Sequence, residues 1–369
     1  MEKNVENVKA AQEKFGELIQ SEFERIERMK ADNEVTDFDK LEKIVIGVLP
    51  GDGIGPIIMK QALRVLNDLL APEIASGRIE IREIEGMTIE NRAAKLQSLP
   101  DDVFEEIKKC NVLIKGPMVT PRAGEPWPNL VSANSLLRRG LELFAAVRPI
   151  KIPEKNIDWT FFRENTEGEY ALGSRGIEIP GKLAMDFKVT TDAGTRRIAR
   201  AAFAFARANG KTNVAIVTKA NIMKKTDGSF SRICHEVAAE YPEITAEDWY
   251  IDIMTANLVN PEIRSKFQVF VLPNLYGDII TDEAAQIQGG VGTAGSANTG
   301  SRYAMFEAVH GTAPRLIADG EGDYANPSSI LKAAELLLRH ISMADKADRL
   351  AAGVFQKLYE VFIDFACQH

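Results

Sequence analysis

The stretch KIVIGVLPGDGIGPIIMKQALRVLNDLL, residues 43–70, contains a strand, a turn and a helix in succession. Residues 43–49 are a β-branched run, Gly51-Asp-Gly-Ile-Gly-Pro56 supplies turn formers, and residues 57–70 carry apolar side chains at helical spacing. The same alternation recurs outward. Residues 79–84 read as strand, 101–110 as helix, 112–115 as strand and 135–144 as helix. Further strands are predicted at 159–163, 214–219, 269–272 and 303–307, with helices at 194–208, closed by Gly210 as C′ residue, and at 230–240. Strands alternating with helices predict an α/β fold, a mostly parallel sheet sandwiched by helices. The spacing G-x-G-x-G at 51–55 is not the G-x-G-x-x-G of a dinucleotide loop, so a classical Rossmann fold is rejected.

At 369 residues the chain exceeds what one core usually serves, and two domains are expected. A net charge of −8 argues against a general binder of nucleic-acid phosphates, while leaving room for a local basic pocket. No segment is long and apolar enough to span a bilayer. Cys110, Cys234 and Cys367 are widely spaced and lack metal-ligand spacing, which fits reduced thiols in a cytoplasmic protein. The first 30 residues mix Glu, Lys and Asp and resemble neither a secretory signal nor a transit peptide. Val8, Phe15, Leu18, Ile19, Phe23, Ile26 and Met29 follow helical spacing, predicting a helix over 5–29 packed on its own body or on a partner. Residues 170–191, Gly-rich and strand-like at 183–190, are long for a loop; such a segment covers a site or pairs with another subunit.

Four groups carry chemistry. In Asn274-Leu-Tyr-Gly-Asp-Ile-Ile-Thr-Asp282, Asp278 and Asp282 stand four apart on one helical face, an arrangement that suits Mg²⁺ or Mn²⁺ with Asp252 as a third ligand, and equally a helix start with Asp278 as N-cap. Residues 159–170 end an aromatic strand in Arg163, several carboxylates and Tyr170. Arg138, Arg139, Arg148 and Arg163 are candidates to converge on a polycarboxylate, because a guanidinium fork holds a carboxylate bidentately. Lys219 and Asn221 follow an apolar strand, where a half-buried lysine can shuttle protons or simply snorkel. His310-Gly-Thr-Ala-Pro-Arg315, with Asn326-Pro327 before a strong helix, offers backbone N–H groups and a guanidinium to a nucleotide.

Taken together, GDGIGP, IKGP, RENTEGEY, NLYGDIITD and HGTAP, in this order between residues 43 and 351, resemble the isocitrate and isopropylmalate dehydrogenase family, metal-dependent decarboxylating dehydrogenases. The resemblance implies that Ser132 and Asn134 hold a substrate γ-carboxylate, that Arg138, Arg148 and Arg163 clamp the other two carboxylates, and that Thr120 and Asn221 line the same pocket. It makes Tyr170 the general acid and Lys219 the catalytic lysine, donated across a homodimer interface. Asp278 and Asp282 become metal ligands of one subunit and Asp252 of the other; Lys115, Glu307, His310, Gly311, Thr312, Ala313, Arg315 and Asn326 become nucleotide contacts. Isocitrate is the implied substrate, with NAD(P)⁺ as oxidant. Arg315 leans to NADP, against Asp319, Glu321 and Asp323 just beyond it.

The chain departs from the family pattern in its lengthened loop 121–129, in Val131 where isocitrate enzymes carry Arg, in a helical extension 1–42, and in lacking a closing Thr-x-Asp strand at 362–369. The expected organisation is that extension, a nucleotide-binding domain from 43–143 and 289–369, and a small domain 144–288 dimerising through 170–191, with the site in the cleft between the two domains. Alternatives are the same chemistry on 3-isopropylmalate, homoisocitrate or tartrate, or a non-catalytic regulatory subunit. No nucleic-acid or membrane partner is expected.

Overall fold

Thirty residues, Glu2–Ala31, form helix α1. Next come β1 (Ile44–Leu49), α2 (Gly55–Leu69), α3 (Ala71–Ala75), β2 (Ile79–Glu83), α4 (Ile89–Lys95), α5 (Asp101–Ile107), β3 (Val112–Lys115), α6 (Ala133–Gly140), β4 (Ala145–Ile152) and β5 (Ile157–Glu164). A hairpin of β6 (Ile177–Ile179) and β7 (Leu183–Met185) precedes α7 (Asp192–Ala208), β8 (Asn213–Thr218), α8 (Thr226–Ala238), β9 (Thr245–Tyr250), α9 (Ile251–Val259), β10 (Val269–Leu272) and α10 (Asn274–Gln288). The chain continues through β11 (Gly295–Thr299), β12 (Ala304–Ala308), α11 (Pro314–Ala318) and α12 (Ser328–His340). This computed structural model describes residues 2–31, 35–122, 124–173 and 175–353, with side chains from residue 6 onward. Cys367 and segment 362–369 lie outside the described residues. Cys110 and Cys234 are buried free thiols, and no described helix is long and apolar enough to cross a membrane.

The chain divides into two compact units, residues 1–35 with 161–280 and residues 36–160 with 281–369. These boundaries differ from the expected 143/144 and 288/289. The physical reason is β4, which pairs antiparallel with β11 from Ala145↔Thr299 to Val147↔Ala297 and so stays with the later chain.

In the unit of residues 36–160 and 281–369 the strands run β2-β1-β3-β12-β11-β4, parallel except at β11. Ile44, Ile46 and Val48 meet Ile58, Ala62 and Leu66 of α2 and Ile330, Ala333 and Leu337 of α12 in one buried core. A second core gathers Leu113, Leu137, Leu141 and Met305. The helix predicted over 135–144 spans Ala133–Gly140 instead: Glu142 takes φ 48°, and β4 begins three residues later.

In the unit of residues 1–35 and 161–280, β10, β8 and β9 run parallel, with Phe161 of β5 stacked on Phe270 of β10 at 4.2 Å. As predicted, α7 closes at Gly210, whose N–H donates to Arg207 O (3.4 Å) while Lys211 N–H donates to Ala206 O (2.8 Å). The extension α1 packs on α7 and β6 of this unit; Leu18, Glu22, Arg25 and Met29 line its buried face, and Phe15 meets Phe187 at 5.3 Å.

Candidate active site

Arg163 is delivered buried at the end of β5, facing the first turns of α10. Its Nε and Nη2 donate to Asn274 Oδ1 at 2.9 and 2.6 Å, and its Nη1 donates to the Asp278 carboxylate. A Cβ at Gly277 would lie 2.6 Å from the Arg163 side chain, so the glycine lets the guanidinium lie against α10. Asp278 sits in the second turn of that helix and is therefore not its N-cap. Tyr170 Oη donates to Asp278 Oδ2 at 2.9 Å, with the Arg163 guanidinium 5.5 Å from its ring. Burial, then the Asp278 charge, pushes the phenol up to about 12, so it stays a proton donor at neutral pH.

The loop between Arg163 and Tyr170 is folded on its own carboxylates. Glu164 accepts from Thr166 N–H (3.0 Å) and Glu167 N–H (2.6 Å); Glu167 accepts from Thr191 N–H (2.8 Å) and Oγ1–H (2.5 Å). Asn274 Nδ2 donates to Glu167 O at 2.8 Å, tying this loop to α10.

In the same unit Lys219 follows β8 directly, half-buried as expected. Its Nζ donates to Asp252 Oδ1 at 2.6 Å, and its backbone N–H donates to buried Asp227 at 2.7 Å. The Lys219 hydrogen bond holds the Asp252 carboxyl below its ordinary value. Lys188, whose side chain is 6% exposed, sits 2.5 Å from Asp227, 3.2 Å from Glu169 and 4.3 Å from the Tyr276 ring, beside neighbours of both Tyr170 and Lys219. Asn221 is exposed in the turn after Lys219.

The other unit holds the remaining predicted residues. Arg148 of β4 donates to Thr281 Oγ1 and to Asp282 Oδ1, the latter at 3.2 Å. Ser132 is the N-cap of α6, its Oγ accepting from Ser135 N–H at 3.3 Å. The amide oxygen of Asn134 is buried without a hydrogen-bond partner, a rare state for a buried polar atom. Arg138 reaches Glu307 at 2.7 Å, which also pairs with buried Lys115 at 2.8 Å and accepts from Asn298 Nδ2 at 2.8 Å. Burial pushes Glu307 up, but Lys115 and Arg138 outweigh it and hold the carboxyl well below the usual carboxylate range.

The GDGIGP turn is held by Asp52, whose carboxylate accepts from Ile89 N–H, Val119 N–H and Arg92 Nη2 at 2.7, 2.7 and 2.9 Å, fixing the strand end that leads to Thr120. Gly53 lies against Thr312 O, and Ile54 N–H donates to it at 3.1 Å, so this turn supports the HGTAP loop. In that loop His310 Nδ1 is 2.9 Å from Gly311 O, Ala313 takes φ 47°, and Arg315 is exposed in the short α11. Asn326 Oδ1 accepts from Ser328 N–H at 2.9 Å, entering α12.

The arginines are thus occupied separately: Arg138 by Glu307, Arg148 by Thr281 and Asp282, Arg163 by Asn274 and Asp278. Asp278 and Asp282 are one turn apart on α10. Among the described residues no three His, Cys, Asp or Glu side chains gather where a metal ion is held, and Asp252 is paired with Lys219. Sequence reasoning missed Asn274, Asp52 with Arg92, Lys188, and Arg25. Asn274 opens the NLYGDIITD motif and Asp52 lies inside GDGIGP, but neither motif marks their partners; Lys188 and Arg25 carry no signal.

A family model described as isocitrate/isopropylmalate dehydrogenase matches residues 45–365. An isocitrate dehydrogenase [NAD] subunit 2, mitochondrial, of Schizosaccharomyces pombe is 37% identical over 322 residues, 85% of this chain and 80% of the relative. An isocitrate dehydrogenase [NADP] of Rickettsia prowazekii is 39% identical over 325 residues, 85% of this chain and 63% of that longer relative. The crystal structure of isocitrate dehydrogenase from Methylococcus capsulatus superposes with a TM-score of 0.72 at 34% identity, covering 83% of this chain and 88% of that one. Motif order, the fold of each unit and these similarities agree, and the chain belongs to the isocitrate/isopropylmalate dehydrogenase family.

Proposed function

We propose that the chain oxidises and decarboxylates isocitrate to 2-oxoglutarate and CO₂, reducing NADP⁺ in preference to NAD⁺ with Mg²⁺ or Mn²⁺ bound. The observation that carries this reading is the Tyr170–Asp278–Arg163 arrangement, a phenol kept protonated beside a carboxylate and a buried guanidinium. Isocitrate is supported over isopropylmalate by the names of the relatives, and by Ser132 together with the unpartnered amide oxygen of Asn134 at the start of α6. An asparagine without internal hydrogen bonds is free to turn its NH₂ to a carboxylate.

The donor chemistry fits a divalent ion. Asp278 and Asp282 present hard carboxylate oxygens one turn apart, with side chains 36% and 57% exposed. These two would hold the metal, joined by Asp252 of a second copy. Bound there, the metal would supply Lewis-acid polarisation of a substrate oxygen, and a nicotinamide held by the chain would supply the hydride acceptor. The chain's own groups do the rest. Arg138, Arg148 and Arg163 grip carboxylates through their guanidinium forks. Lys219 assists removal of the C2 hydroxyl proton while that carbon becomes a ketone. Loss of CO₂ from the carboxylate on C3 leaves its electron pair at C3, and Tyr170 Oη donates the proton that fills it. Asp278, accepting from Tyr170, keeps the phenol aimed.

For the nucleotide, Gly311 stands where an added Cβ would meet nothing, leaving the HGTAP backbone open. His310, Thr312, Ala313 and Asn326 would line this side. Lys115 and Glu307 brace one another beneath it, and exposed Arg315 offers charge to a 2′-phosphate. A shared site in a homodimer is supported by the Lys219–Asp252 pair, which one chain carries as a unit, and by exposed Ile222, Ile253 and Ile279 in the same compact unit. The buried free thiols of Cys110 and Cys234 support a cytoplasmic setting.

The test is initial-rate reduction of NADP and NAD, with Mg²⁺, Mn²⁺ or chelator, against isocitrate, 3-isopropylmalate, homoisocitrate and tartrate. Metal-dependent turnover of isocitrate is expected; preference for another acid rejects the substrate assignment. Mixing inactive Lys219→Ala and Tyr170→Phe chains should restore part of the activity if the site is shared, and none if each chain is complete alone.

A further inference from the structure

We propose that Arg25, on the N-terminal helix α1, is a positioning residue that holds the loop 164–170 and through it sets the place of Tyr170 and Arg163. The proposal rests on the functional reading above for those two residues. Arg25 is 1% exposed and enters the loop between Thr166 and Glu167, with Nη2 donating to Thr166 Oγ1 at 2.9 Å and Nη1 to Glu167 Oε1 at 3.2 Å. From there the contacts run on without a gap. The backbone oxygen of Glu167 accepts from Asn274 (2.8 Å), Asn274 accepts from Arg163 (2.9 and 2.6 Å), Arg163 pairs with Asp278, and Asp278 accepts from Tyr170 (2.9 Å).

The loop needs such a cation. Glu164 and Glu167 are both buried, three residues apart, and two carboxylates out of water repel unless positive charge stands with them. Burial and the charge of Glu164 push Glu167 up to about 7, with Arg25 working in the opposite direction. Arg197 shares the work at Thr166 and Glu164. Its Nη2 donates to Thr166 Oγ1 at 2.8 Å and lies 4.0 Å from Glu164, whereas Arg25 is the guanidinium placed on Glu167. Thr166 Oγ1 accepts from both arginines and donates to Glu164 Oε1 at 2.6 Å, so its hydroxyl is fully used and cannot replace either cation. Without Arg25 the Glu167 carboxylate must take a proton or swing out. Either change loosens the peptide oxygen that holds Asn274, and with it the guanidinium and phenol beyond. The family model matches residues 45–365, so Arg25 lies outside the matched region.

The experiment compares full-length wild type with Arg25→Met, Arg25→Lys, Arg25→Ala and the control Arg28→Met, the last an exposed residue on the same helix. Two readouts are taken: kcat and KM for isocitrate, and the ¹⁹F resonance of Tyr170 in chains carrying 3-fluorotyrosine, assigned with Tyr170→Phe and recorded at one fixed pH. Arg25→Met should lower kcat by about 100-fold, the size expected for a misplacement of about 1 Å, with KM moving far less. Guanidinium ion at millimolar concentration should restore part of the loss in Arg25→Ala, Arg25→Lys should be intermediate, and the Tyr170 resonance should move in Arg25→Met but not in Arg28→Met. Unchanged kcat and an unchanged resonance with a lower thermal midpoint would mean α1 only adds stability, and would overturn the proposal. If wild type turns over no isocitrate, the functional reading has failed separately; the Tyr170 resonance then decides alone, a shift upholding the positioning role and no shift rejecting it. Should Arg25→Met not fold, Arg25→Lys supplies the same two readouts.

Discussion

Asn274 takes two hydrogen bonds from Arg163 on its amide oxygen and gives one from its amide nitrogen to the Glu167 carbonyl. The side chain thus acts as a coupler between the end of β5 and the first turn of α10. Asn274→Ala removes the acceptor of two Arg163 donors in a buried place, which costs about 1–3 kcal/mol of stability. Activity should fall by roughly 10- to 100-fold because the guanidinium loses its direction. Urea unfolding alongside steady-state kinetics on isocitrate checks both; normal kinetics with lowered stability would limit Asn274 to a structural part.

The phenol of Tyr170 is held neutral, pushed up to about 12 first by burial and then by Asp278. Its proposed task is one proton transfer to C3, and removal of a general acid costs roughly 100- to 10,000-fold. Tyr170→Phe is therefore expected to slow exchange of the C3 proton of 2-oxoglutarate with deuterated solvent by that factor, read by proton NMR, while binding of isocitrate changes little. Unchanged exchange would move the acid elsewhere.

Glu167 gives a signed pH dependence. Its carboxyl is raised from 4.5 to about 7 in the folded chain, by burial first and by Glu164 next. The folded state therefore holds this proton more tightly than the unfolded one. The contribution to stability is full below the unfolded value of 4.5 and is lost as pH rises through 7. Glu167→Gln removes that titration. The thermal midpoint of the variant should fall less than that of wild type between pH 5 and pH 8, and parallel curves would assign the slope to other groups.

Much of the fold was legible because several signals coincide. In residues 43–70 the β-branched run, the Gly and Pro of the turn and the helical period all favour one local structure, and α7 carries its own stop at Gly210. Strand β4 was not legible, since Arg148, Pro149 and Lys151 spoil a strand pattern, and its partner β11 is the bland run Gly-Ser-Ala-Asn-Thr, made a strand only by its neighbours. The same holds at the site. Arg163, Tyr170 and Asp278 announce themselves by residue type and motif, yet their coupling through Asn274 is a tertiary fact. Arg25 lies in a run of charged residues that reads as a solvated helix face, and only the packing of α1 buries it.

Asp52 and Arg92 form a buried ion pair at 2.9 Å under the GDGIGP turn. Asp52→Asn removes one charge and leaves the guanidinium unpaired in the interior, which costs about 3–5 kcal/mol. The same carboxylate holds Val119 N–H, so the Thr120 loop should loosen as well. A drop in the urea midpoint with an unchanged m-value, together with faster amide exchange near Val119, is the expected result. A shift of under about 1 kcal/mol would place most of the turn's stability in other contacts.

Arg315 should govern the choice of nucleotide. It is exposed on α11, one residue after Pro314, and Asp319, Glu321 and Asp323 follow in an exposed acidic stretch. A 2′-phosphate gains a charge-assisted hydrogen bond from Arg315, each such bond being worth roughly 1.5–3 kcal/mol, while the free ribose hydroxyl of NAD gains little from it. Arg315→Glu therefore should lower kcat/KM for NADP by at least about 10-fold, the change that 1.4 kcal/mol produces, while leaving that for NAD level or higher, because a carboxylate accepts from the ribose hydroxyl. Salt should narrow the difference between the two nucleotides in wild type, since an exposed charge pair is screened within about 8–10 Å at moderate ionic strength. Equal losses for both nucleotides would show that Arg315 acts on a part they share, and a wild-type preference for NAD would transfer the decision to the acidic stretch.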